Sequence, residues 1–341
     1  MMREKGVSVV ICTYNGAQRL KPTLEHIAAQ KTEILAWEVI LIDNNSKDDS
    51  ALIAQNIWEK ADTATTLRIV KEEQAGLSYA KARGLKEAKY SYLIYVDDDN
   101  SISQNYVQSV FEILENHPDV AVCSGDGEVA VPKDFELPNW WEKFQYAYAV
   151  GKQGEAEGYL ENSFLWGASS AFRVAALEEL YELHELYLTG RIGSKLAAGE
   201  DGELCMALQL LGYKLYYSPK LQFKHHIPID RINRNYLKRL QEGFGAASVI
   251  LSLYSDLLKD RKVEWKEAFE KTKQSVHRRT WKMLKSSGEQ KKNVQMNLSY
   301  SKGRLAELKR FKTEYDKTYS LLKTRFQNSK LNKLKTEQTQ N

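Results

Sequence analysis

The chain has 341 residues, of which 43% are hydrophobic, enough for one large domain or two smaller ones. No window of the sequence holds the ~18 apolar residues that are needed to cross a bilayer, and the first residues lack the apolar core and cleavage site of a signal peptide. The three cysteines show neither a CxxC pair nor a metal-like spacing to histidine, which predicts buried free thiols in a reducing compartment. We therefore expect a cytoplasmic protein.

The net charge of +4 is unevenly distributed along the chain. Residues 231–341 carry 27 Lys and Arg against 11 Asp and Glu, a net charge of +16. Residues 1–230 carry 22 against 34, a net charge of −12. This asymmetry predicts two functional units, an acidic body and a basic C-terminal region.

The first half of the chain alternates strand and helix patterns. Strands are predicted at VSVVIC, WEVILI, LRIV and YSYLIYV, and helices at AQRLKPTLEHIAAQ, DSALIAQNIWEKA, GLSYAKARGLKEA and QNYVQSVFEILEN. This alternation is typical of a doubly wound, mostly parallel α/β sheet with helices on both faces. Ligands bind beyond the carboxyl ends of such strands. The polar clusters TYN (13–15), DNNS (43–46) and DDDN (97–100) all fall there, so we predict that they form one site.

The second half of the chain predicts a helix, two short strands and a helical end. EDGELCMALQLLGY has the helical period, with Leu204, Ala207, Leu208 and Leu211 on one apolar face. KLYYS and LQFKHH, which follow, are predicted to form a short β-pair. From about residue 235 the sequence is helical and basic to its end.

Three consecutive aspartates, Asp97, Asp98 and Asp99, follow a strand that is predicted to be buried. Each adjacent pair repels by roughly 3 kcal/mol at ~5 Å and an effective dielectric of about 20. Asp97 and Asp99 face the same way in an extended segment, and paired carboxylates suit Mg²⁺ or Mn²⁺ that also contacts a substrate phosphate. A bound cation would relieve the repulsion. The alternative is that Asp99 or Ser101 caps the next helix and the other acids are solvated.

Five segments, in this order and spacing, closely resemble the family 2 glycosyltransferases, which are inverting enzymes with the GT-A fold. They are VSVVICTYNGAQRL, EVILIDNNSKDDS, GLSYAKARGLKEAKYSYLIYVDDDN, WGASSAFR and GEDGELCMALQLLGYKLYYSPKL, which together cover about residues 6–250. The resemblance implies a GT-A catalytic domain at 1–230, with a nucleotide-sugar-binding half at 1–125 and an acceptor-binding half at 126–230. The helical basic region at 231–341 follows it.

The resemblance implies roles for the residues at the ends of the first two strands. Thr13, Tyr14 and Asp43 would hold the nucleotide base and ribose, with Asn15 in the same nucleotide-sugar site. A carboxylate that accepts the uracil N–H beside an aromatic wall is chemically sensible and suggests a UDP-sugar. The alternative for Asp43 is a helix N-cap or an Asx-turn.

The Asp-x-Asp element of the family corresponds to Asp97 and Asp99 as metal ligands, with Asp98 near the ribose or sugar. Where the family often has Ala-Arg-Asn, this chain has Ala-Lys-Ala. Lys81 would thus supply a positive charge to the nucleotide-sugar site, without the planar fork of arginine. His225 and His226 end the last strand, where related enzymes often supply a third metal ligand or a diphosphate contact. Strand alternation points one of the two inward, and the sequence does not choose between them. The alternative to a ligand is a histidine at the surface or in the core.

The family's catalytic base corresponds to Asp201, which would accept the proton of the acceptor hydroxyl, with Glu200 orienting the acceptor. The alternative for both acids is a favourable helix start, since the positive end of a helix stabilises a carboxylate. Trp166 and Gly167 would form the floor of the sugar and acceptor pocket.

The basic C-terminal region contains an apolar stripe formed by Tyr315, Tyr319, Leu322 and Phe326. A helix with such a stripe can pack on the catalytic body, lie on an anionic membrane surface or pair with a partner helix. Nucleic-acid binding is not expected, because no recognised fold or stacking module accompanies the charge.

The sequence as a whole predicts a glycosyltransferase of the hexosyl or N-acetylhexosaminyl type that depends on Mn²⁺ or Mg²⁺ and inverts the anomeric carbon. Its donor would be a nucleotide sugar and its acceptor a glycan or lipid-linked glycan of bacterial surface polysaccharide synthesis. It would be cytoplasmic, and peripheral on the inner face of the membrane if the tail binds lipid. The alternatives are a nucleotidyltransferase acting on sugar phosphates and a non-catalytic scaffold that binds partners through its tail.

Overall fold

The computed structural model describes residues 3–33, 36–189 and 198–340, with side chains to residue 328. Strands and helices alternate through the first part of the chain, as the hydrophobic pattern predicts. The elements are β1 (Glu4–Thr13), α1 (Leu20–Ala28), β2 (Trp37–Asp43), α2 (Ser50–Glu59), β3 (Leu67–Lys71), α3 (Leu77–Glu87), β4 (Tyr90–Asp97), β5 (Asn100–Ile102) and α4 (Tyr106–Asn116).

Short strands and then long helices make up the rest of the chain. The next elements are β6 (Val120–Ser124), β7 (Gly127–Ala130), α5 (Trp141–Phe144), β8 (Gly158–Leu160), β9 (Ala171–Arg173), α6 (Val174–Leu183), α7 (Glu200–Leu210), β10 (Lys214–Tyr217) and β11 (Phe223–His226). Single 3₁₀ turns span Gln145–Tyr148 and Ile229–Arg231. The last elements are α8 (Arg234–Leu258), α9 (Trp265–Lys285), α10 (Gly288–Arg310) and α11 (Tyr315–Gln340).

In the described part of the chain, the main sheet has eight strands in the order β3-β2-β1-β4-β9-β6-β10-β8. The pairs among β3, β2, β1 and β4 are parallel, as is β6 with β10, while β9 is antiparallel to both of its neighbours. A small sheet, β5-β11-β7, stands beside it. The expected α/β fold with a mostly parallel sheet is therefore confirmed.

Both faces of the main sheet are buried. Since alternate residues of a strand point to opposite sides, one strand contributes to the core on each face. Along β1, Val10 contributes to one core, while Val9 and Ile11 contribute to the other. The first core also contains residues of α3, α6, α7, α8 and α11, and the second contains residues of α1, α2 and α4. This two-sided burial explains why the strands read as continuous apolar runs.

The predicted pairing of KLYYS with LQFKHH is wrong. The two segments do form strands β10 and β11, but β10 pairs with β6 and β8 in the main sheet, whereas β11 pairs with β5 and β7 in the small sheet. The chain from β10 to β11 runs parallel to the chain from β6 to β7, so each strand finds its partner there rather than in its sequence neighbour.

The apolar stripe of the last helix packs on the part of the chain that contains the main sheet. Tyr315, Tyr319, Leu322 and Phe326 are all buried, and they belong to the same core as the helices that cover the main sheet. Of the three alternatives for this stripe, packing on the body is the one that the structure shows. We propose to keep the boundary near residue 230 as the place where strands give way to helices, because the strands end at His226 and α8 begins at Arg234. The core itself continues across this boundary.

Candidate active site

The carboxyl ends of β1, β2 and β4 bring three of the predicted residues to one edge of the sheet. In the parallel pairing of β1 with β2, Thr13 lies opposite Asp43, and in the pairing of β1 with β4, Cys12 lies opposite Asp97. These two registers place Thr13, Asp43 and Asp97 side by side. The sheet therefore brings together the residues that the sequence analysis assigned to one site.

Asp98 points toward β1 and the start of α1. Its Oδ2 accepts a hydrogen bond from the Thr13 hydroxyl at 2.7 Å. Arg19 binds the same carboxylate at two points, Nε to Oδ1 at 3.1 Å and Nη2 to Oδ2 at 2.7 Å. A bidentate guanidinium contact of this kind offsets the like charges of the neighbouring aspartates. The position assigned to the ribose or sugar is thus occupied by a salt bridge.

Asp99 faces His225 and Arg231. The His225 Nε2 atom lies 3.6 Å and the Arg231 Nη1 atom 3.9 Å from Asp99 Oδ2. Burial disfavours the charge of Asp99, but His225, Arg231 and Arg19 together outweigh burial and lower the pKa of the carboxyl below its usual value. His225 Nδ1 donates to the Tyr148 carbonyl oxygen at 2.7 Å, which directs Nε2 toward Asp99.

The structure distinguishes the two histidines that the sequence left open. His226 is turned to the other side of β11, where its Nε2 lies 2.7 Å from the Ser101 hydroxyl, and burial lowers its pKa. His225 is therefore the histidine that joins the acidic cluster, and His226 lies away from it.

Asp97 lies between the aspartate cluster and a second charged group. Burial first, and then the charge of Asp99, raises the pKa of Asp97 to about 6, while the Lys81 ammonium acts in the opposite direction. The charge of Asp201 also reaches this carboxyl and raises its pKa. Asp97 thus connects the two halves of the site electrostatically.

The second group consists of Lys81 of α3 and the two acids at the start of α7. Lys81 Nζ lies 2.6 Å from Glu200 Oε1 and 3.3 Å from Asp201 Oδ1. Burial opposes the charge of Lys81, but Glu200, Asp201 and Asp97 together hold its pKa well above the usual value. Lys81 therefore remains an ammonium that fixes both carboxylates, and its expected contact with the nucleotide sugar stays a prediction.

Two glycines shape the surroundings of Asp201. Gly199 precedes α7 with φ 93°, a left-handed conformation that favours glycine, and a side chain there would approach Ala247. A Cβ atom at Gly167 would lie 2.0 Å from Asp201 Oδ1, so that only glycine leaves room for this carboxylate. The structure thereby brings the predicted Gly167 against the predicted base, while Trp166 packs on the second core and its backbone N–H donates to Gln153 Oε1 at 2.6 Å.

The loops after β1 and β2 are tied to each other. Asn15 Oδ1 accepts from the backbone N–H of Lys47 at 2.8 Å, and Asp43 Oδ1 accepts from the N–H of Ser46 at 3.0 Å. The Asp43 contact is a local bond from the side chain to the backbone, similar to the Asx-turn that the sequence gave as an alternative but one residue longer. The Tyr14 side chain is 50% exposed beside these loops.

Sequence reasoning missed Arg19 and Arg231. Besides its salt bridge to Asp98, Arg19 donates to the carbonyl oxygens of Tyr14 and Asn15 at 3.2 and 3.0 Å and so fixes the loop after β1. Its position four residues after Asn15, in the segment TYNGAQRL, was the only sequence signal. Arg231 reaches Asp99 from a 3₁₀ turn in the region read as a basic tail, and no local pattern marks it.

The site contains carboxylate oxygens that suit a metal ion, but the described residues do not supply enough ligands to hold one by themselves. Among residues 3–33, 36–189 and 198–340, no three His, Cys, Asp or Glu side chains are arranged to hold a metal ion. The carboxylates of Asp97 and Asp99 nevertheless provide the oxygen donors that Mg²⁺ and Mn²⁺ prefer, and such ions are commonly held by one or two carboxylates together with substrate phosphates. The donor chemistry therefore fits an ion that binds together with a diphosphate.

The sequence profile of the family described as glycosyl transferase family 2 matches residues 8–181, more than half of the chain. A similar curated protein is the glucosyl-dolichyl phosphate glucuronosyltransferase of Haloferax volcanii, 21% identical over 230 residues that cover 65% of this chain and 69% of that protein. Glycosyltransferase GlyA of Streptococcus pneumoniae is 24% identical over 256 residues, which cover 70% of this chain. The match covers only 33% of the length of GlyA.

Among solved structures, the mannosyltransferase PcManGT from Pyrobaculum calidifontis, in complex with GDP-Man and Mn²⁺, aligns with a TM-score of 0.51. The alignment covers 97% of this chain and 87% of that chain, at 14% sequence identity. At this identity the similarity concerns the fold alone.

Proposed function

The chain belongs to glycosyl transferase family 2, and on that basis we propose that it is a metal-dependent, inverting enzyme that transfers a hexosyl or N-acetylhexosaminyl group. The proposed donor is a nucleoside-diphosphate sugar, with a UDP-sugar in first place. The proposed acceptor is a hydroxyl group of a glycan or lipid-linked glycan, in the assembly of a bacterial surface polysaccharide. The dolichyl phosphate in the name of the Haloferax relative supports a lipid-linked acceptor.

The nucleotide would bind at the loops after β1 and β2. The exposed ring of Tyr14 offers a stacking surface for the base, and Asp43 offers a carboxylate that can accept from the uracil N–H. The hydrogen bond from Ser46 occupies one acceptor position on Asp43, but a carboxylate has about four, so the turn and the base contact are compatible. Asn15 and Thr13 keep the loops in place beneath the nucleotide.

Asp97 and Asp99 are the residues that would hold Mn²⁺ or Mg²⁺ together with the diphosphate of the donor. His225, whose Nε2 faces Asp99 at 3.6 Å, would be the third protein ligand once the ion and the diphosphate complete the set. The ion, when bound, would supply Lewis-acid stabilisation of the departing diphosphate. Arg19 and Arg231 place two further positive charges at this end of the site, one on Asp98 and one near Asp99.

Transfer requires a base on the opposite side of the sugar. We assign this role to Asp201, which would accept the proton of the acceptor hydroxyl as its oxygen attacks the anomeric carbon from the side opposite the diphosphate. The observation that carries the proposal is the position of Asp201. Lys81 binds its carboxylate, and the missing side chain of Gly167 leaves room for it. The negative charge of Asp201 also raises the pKa of Asp97, in the other half of the site. Glu200, bound to the same Lys81, would orient the acceptor.

The decisive experiment compares nucleotide binding with turnover in Asp201→Asn. UDP- and GDP-sugars are first screened by calorimetry and by slow donor hydrolysis, with and without Mn²⁺. The variant should bind the selected donor as the wild type does but lose ~10²- to 10⁴-fold in hydrolysis, the usual contribution of a general base. Asp62→Asn is the matched control. It changes an exposed aspartate between α2 and β3, outside the proposed site, and should retain full activity.

Two outcomes would contradict the proposal. Unchanged hydrolysis in Asp201→Asn would remove the assignment of the base. The absence of a selective response to any nucleotide sugar, with or without Mn²⁺, would favour a non-catalytic scaffold.

A further inference from the structure

The end of α9 carries two large apolar side chains in contact with solvent. Leu284 is 67% exposed, more than any other large apolar side chain among the described residues, and Trp281, one turn earlier, is 53% exposed. Apolar surface of this extent is costly in water, and adjacent exposed apolar residues commonly mark an interaction surface.

The second half of α9 contains no fully buried residue. The only buried residues of this helix are Ala268 and Thr272, and from Lys273 to Lys285 none is buried. Arg279 fixes this half to α10, because it donates to the Asn297 carbonyl oxygen at 2.6 Å and to the Ser301 hydroxyl. The exposed pair is therefore presented on a helix that is attached along one side only.

The same region is strongly basic. Residues 278–292, which we term the α9–α10 corner, contain six Lys and Arg and a single acid, Glu289. Glu289 is bound to Arg234, so its charge is already compensated. The corner thus combines two exposed apolar side chains with a net positive charge.

The surroundings of Trp281 suit the boundary between water and lipid. Its indole N–H donates to His277 Nε2 at 2.9 Å, which satisfies its one polar group, and Lys285 Nζ lies 5.7 Å from the centre of its ring. Tryptophan prefers the headgroup region of a bilayer, where neighbouring lysines can extend their ammonium groups to anionic phosphates.

We propose that the α9–α10 corner binds the surface of an anionic membrane, with Trp281 and Leu284 inserted among the lipids and the basic side chains on the headgroups. Leu284 distinguishes this partner from a nucleic acid, because an aliphatic side chain cannot stack on a base as Trp281 could. None of the described helices is long and apolar enough to cross a bilayer. This inference goes beyond the transfer reaction and does not depend on the donor.

The test is flotation of the full chain with vesicles of phosphatidylcholine, alone or mixed with phosphatidylglycerol. Binding is expected to the mixed vesicles only and to weaken with added salt. Trp281→Ala combined with Leu284→Ala, and separately Lys282→Glu combined with Lys285→Glu, should each lower the partition coefficient at least about tenfold.

Matched controls change equally exposed residues elsewhere. Leu52→Ala removes a leucine that is 60% exposed on α2, and Lys60→Glu with Lys133→Glu reverses two exposed charges outside the corner. Both should bind vesicles as the wild type does. UDP titration of every variant shows whether the nucleotide site is intact. A loss of vesicle binding can therefore be distinguished from a failure of the proposed transfer reaction.

Three results would overturn the inference. They are equal binding to neutral and mixed vesicles, unchanged binding by both corner variants, and binding to a single-stranded oligonucleotide without binding to vesicles.

Discussion

Lys81 has partners in the structure that the sequence did not indicate. The sequence placed it at the nucleotide sugar, where it would replace the arginine of the family pattern, but the structure directs it to Glu200 and Asp201. Its two partners begin the same helix, so that one ammonium fixes the orientation of both carboxylates. We infer that Lys81 acts mainly through these acids.

Lys81→Met is expected to reduce donor hydrolysis about a hundredfold, since a displacement of ~1 Å at a catalytic group has an effect of that size. The affinity for UDP, measured by calorimetry, should change little. Removing one partner of a buried ion pair also costs about 3–5 kcal/mol of stability, which denaturant unfolding can measure.

Lys86→Met is the control for this prediction, because Lys86 is exposed on the same helix. A loss of UDP affinity equal to the loss of rate would show instead that Lys81 contacts the donor directly.

Strand ends explain why part of the site could be predicted from the sequence. Thr13, Asp43 and Asp97 each end a strand, and parallel pairing brings such ends together independently of the conformation of the loops. Arg19 and Arg231 could not be predicted in the same way. They approach the aspartates from a loop and a 3₁₀ turn, whose paths depend on tertiary packing rather than on local periodicity.

At the scale of elements, a buried polar chain joins α6, α7, α8 and α11. Arg325 donates to His184 Nδ1 at 2.5 Å, and His184 Nε2 lies 2.6 Å from the Tyr254 hydroxyl. Tyr254 in turn donates to Glu203 Oε1 at 2.7 Å. Glu203 also accepts from the backbone N–H groups of Tyr187 and Leu188, at 2.8 and 2.6 Å. Since Glu203 lies one turn after Glu200, this chain links the last helix to the start of α7.

This chain predicts a dependence of stability on pH. Burial, and then the charge of Arg325, lowers the pKa of His184 from 6.5 to about 4. Between these values the unfolded chain binds a proton that the folded protein excludes, so stability is lost as the pH falls. His184 should contribute up to about 1.4 kcal/mol per pH unit to this loss. The free energy of unfolding of His184→Gln, measured in urea at pH 7 and pH 5, should therefore change less than that of the wild type.

His26→Gln provides the comparison, because His26 is exposed and its removal should leave the pH slope as it is in the wild type. Equal slopes for the wild type and His184→Gln would contradict the prediction.

The sequence predicted the four strand–helix units well but not the partners of the short strands. Long apolar runs with helices between them favour a parallel sheet, since such strands are buried on both faces by the connecting helices. β10 and β11 are four residues each, and their pairing depends on where β6 and β7 lie. Adjacency in sequence was therefore a poor guide to adjacency in the sheet.

At the scale of the whole molecule, the basic region shares a core with the catalytic body. Tyr254, Tyr315 and Phe326 belong to the same cluster as Leu204 and Leu177 of the sheet-covering helices. The uneven charge along the chain predicted two functional units. Charged side chains lie mostly on the surface, however, so two segments can differ in surface charge and still share one hydrophobic core.

Phe326→Ala tests this continuity. The side chain is buried, and its removal should cost about 3–5 kcal/mol of unfolding free energy, as for other buried phenylalanines. Leu321→Ala changes a leucine of the same helix that is 49% exposed, and it should cost less than about 0.5 kcal/mol. Denaturant unfolding followed by circular dichroism measures both, and equal small effects would show that α11 is not part of the core.

The shared core also sets limits on how this chain can be recombined with its relatives. A chimera that takes residues 231–341 from another family member would inherit a foreign partner for His184 and Glu203, which lie in the part retained. Grafting only the exposed end of α9, where no side chain is buried beyond Thr272, would leave those contacts intact. The natural unit of exchange is thus a helix tip rather than the C-terminal third of the chain.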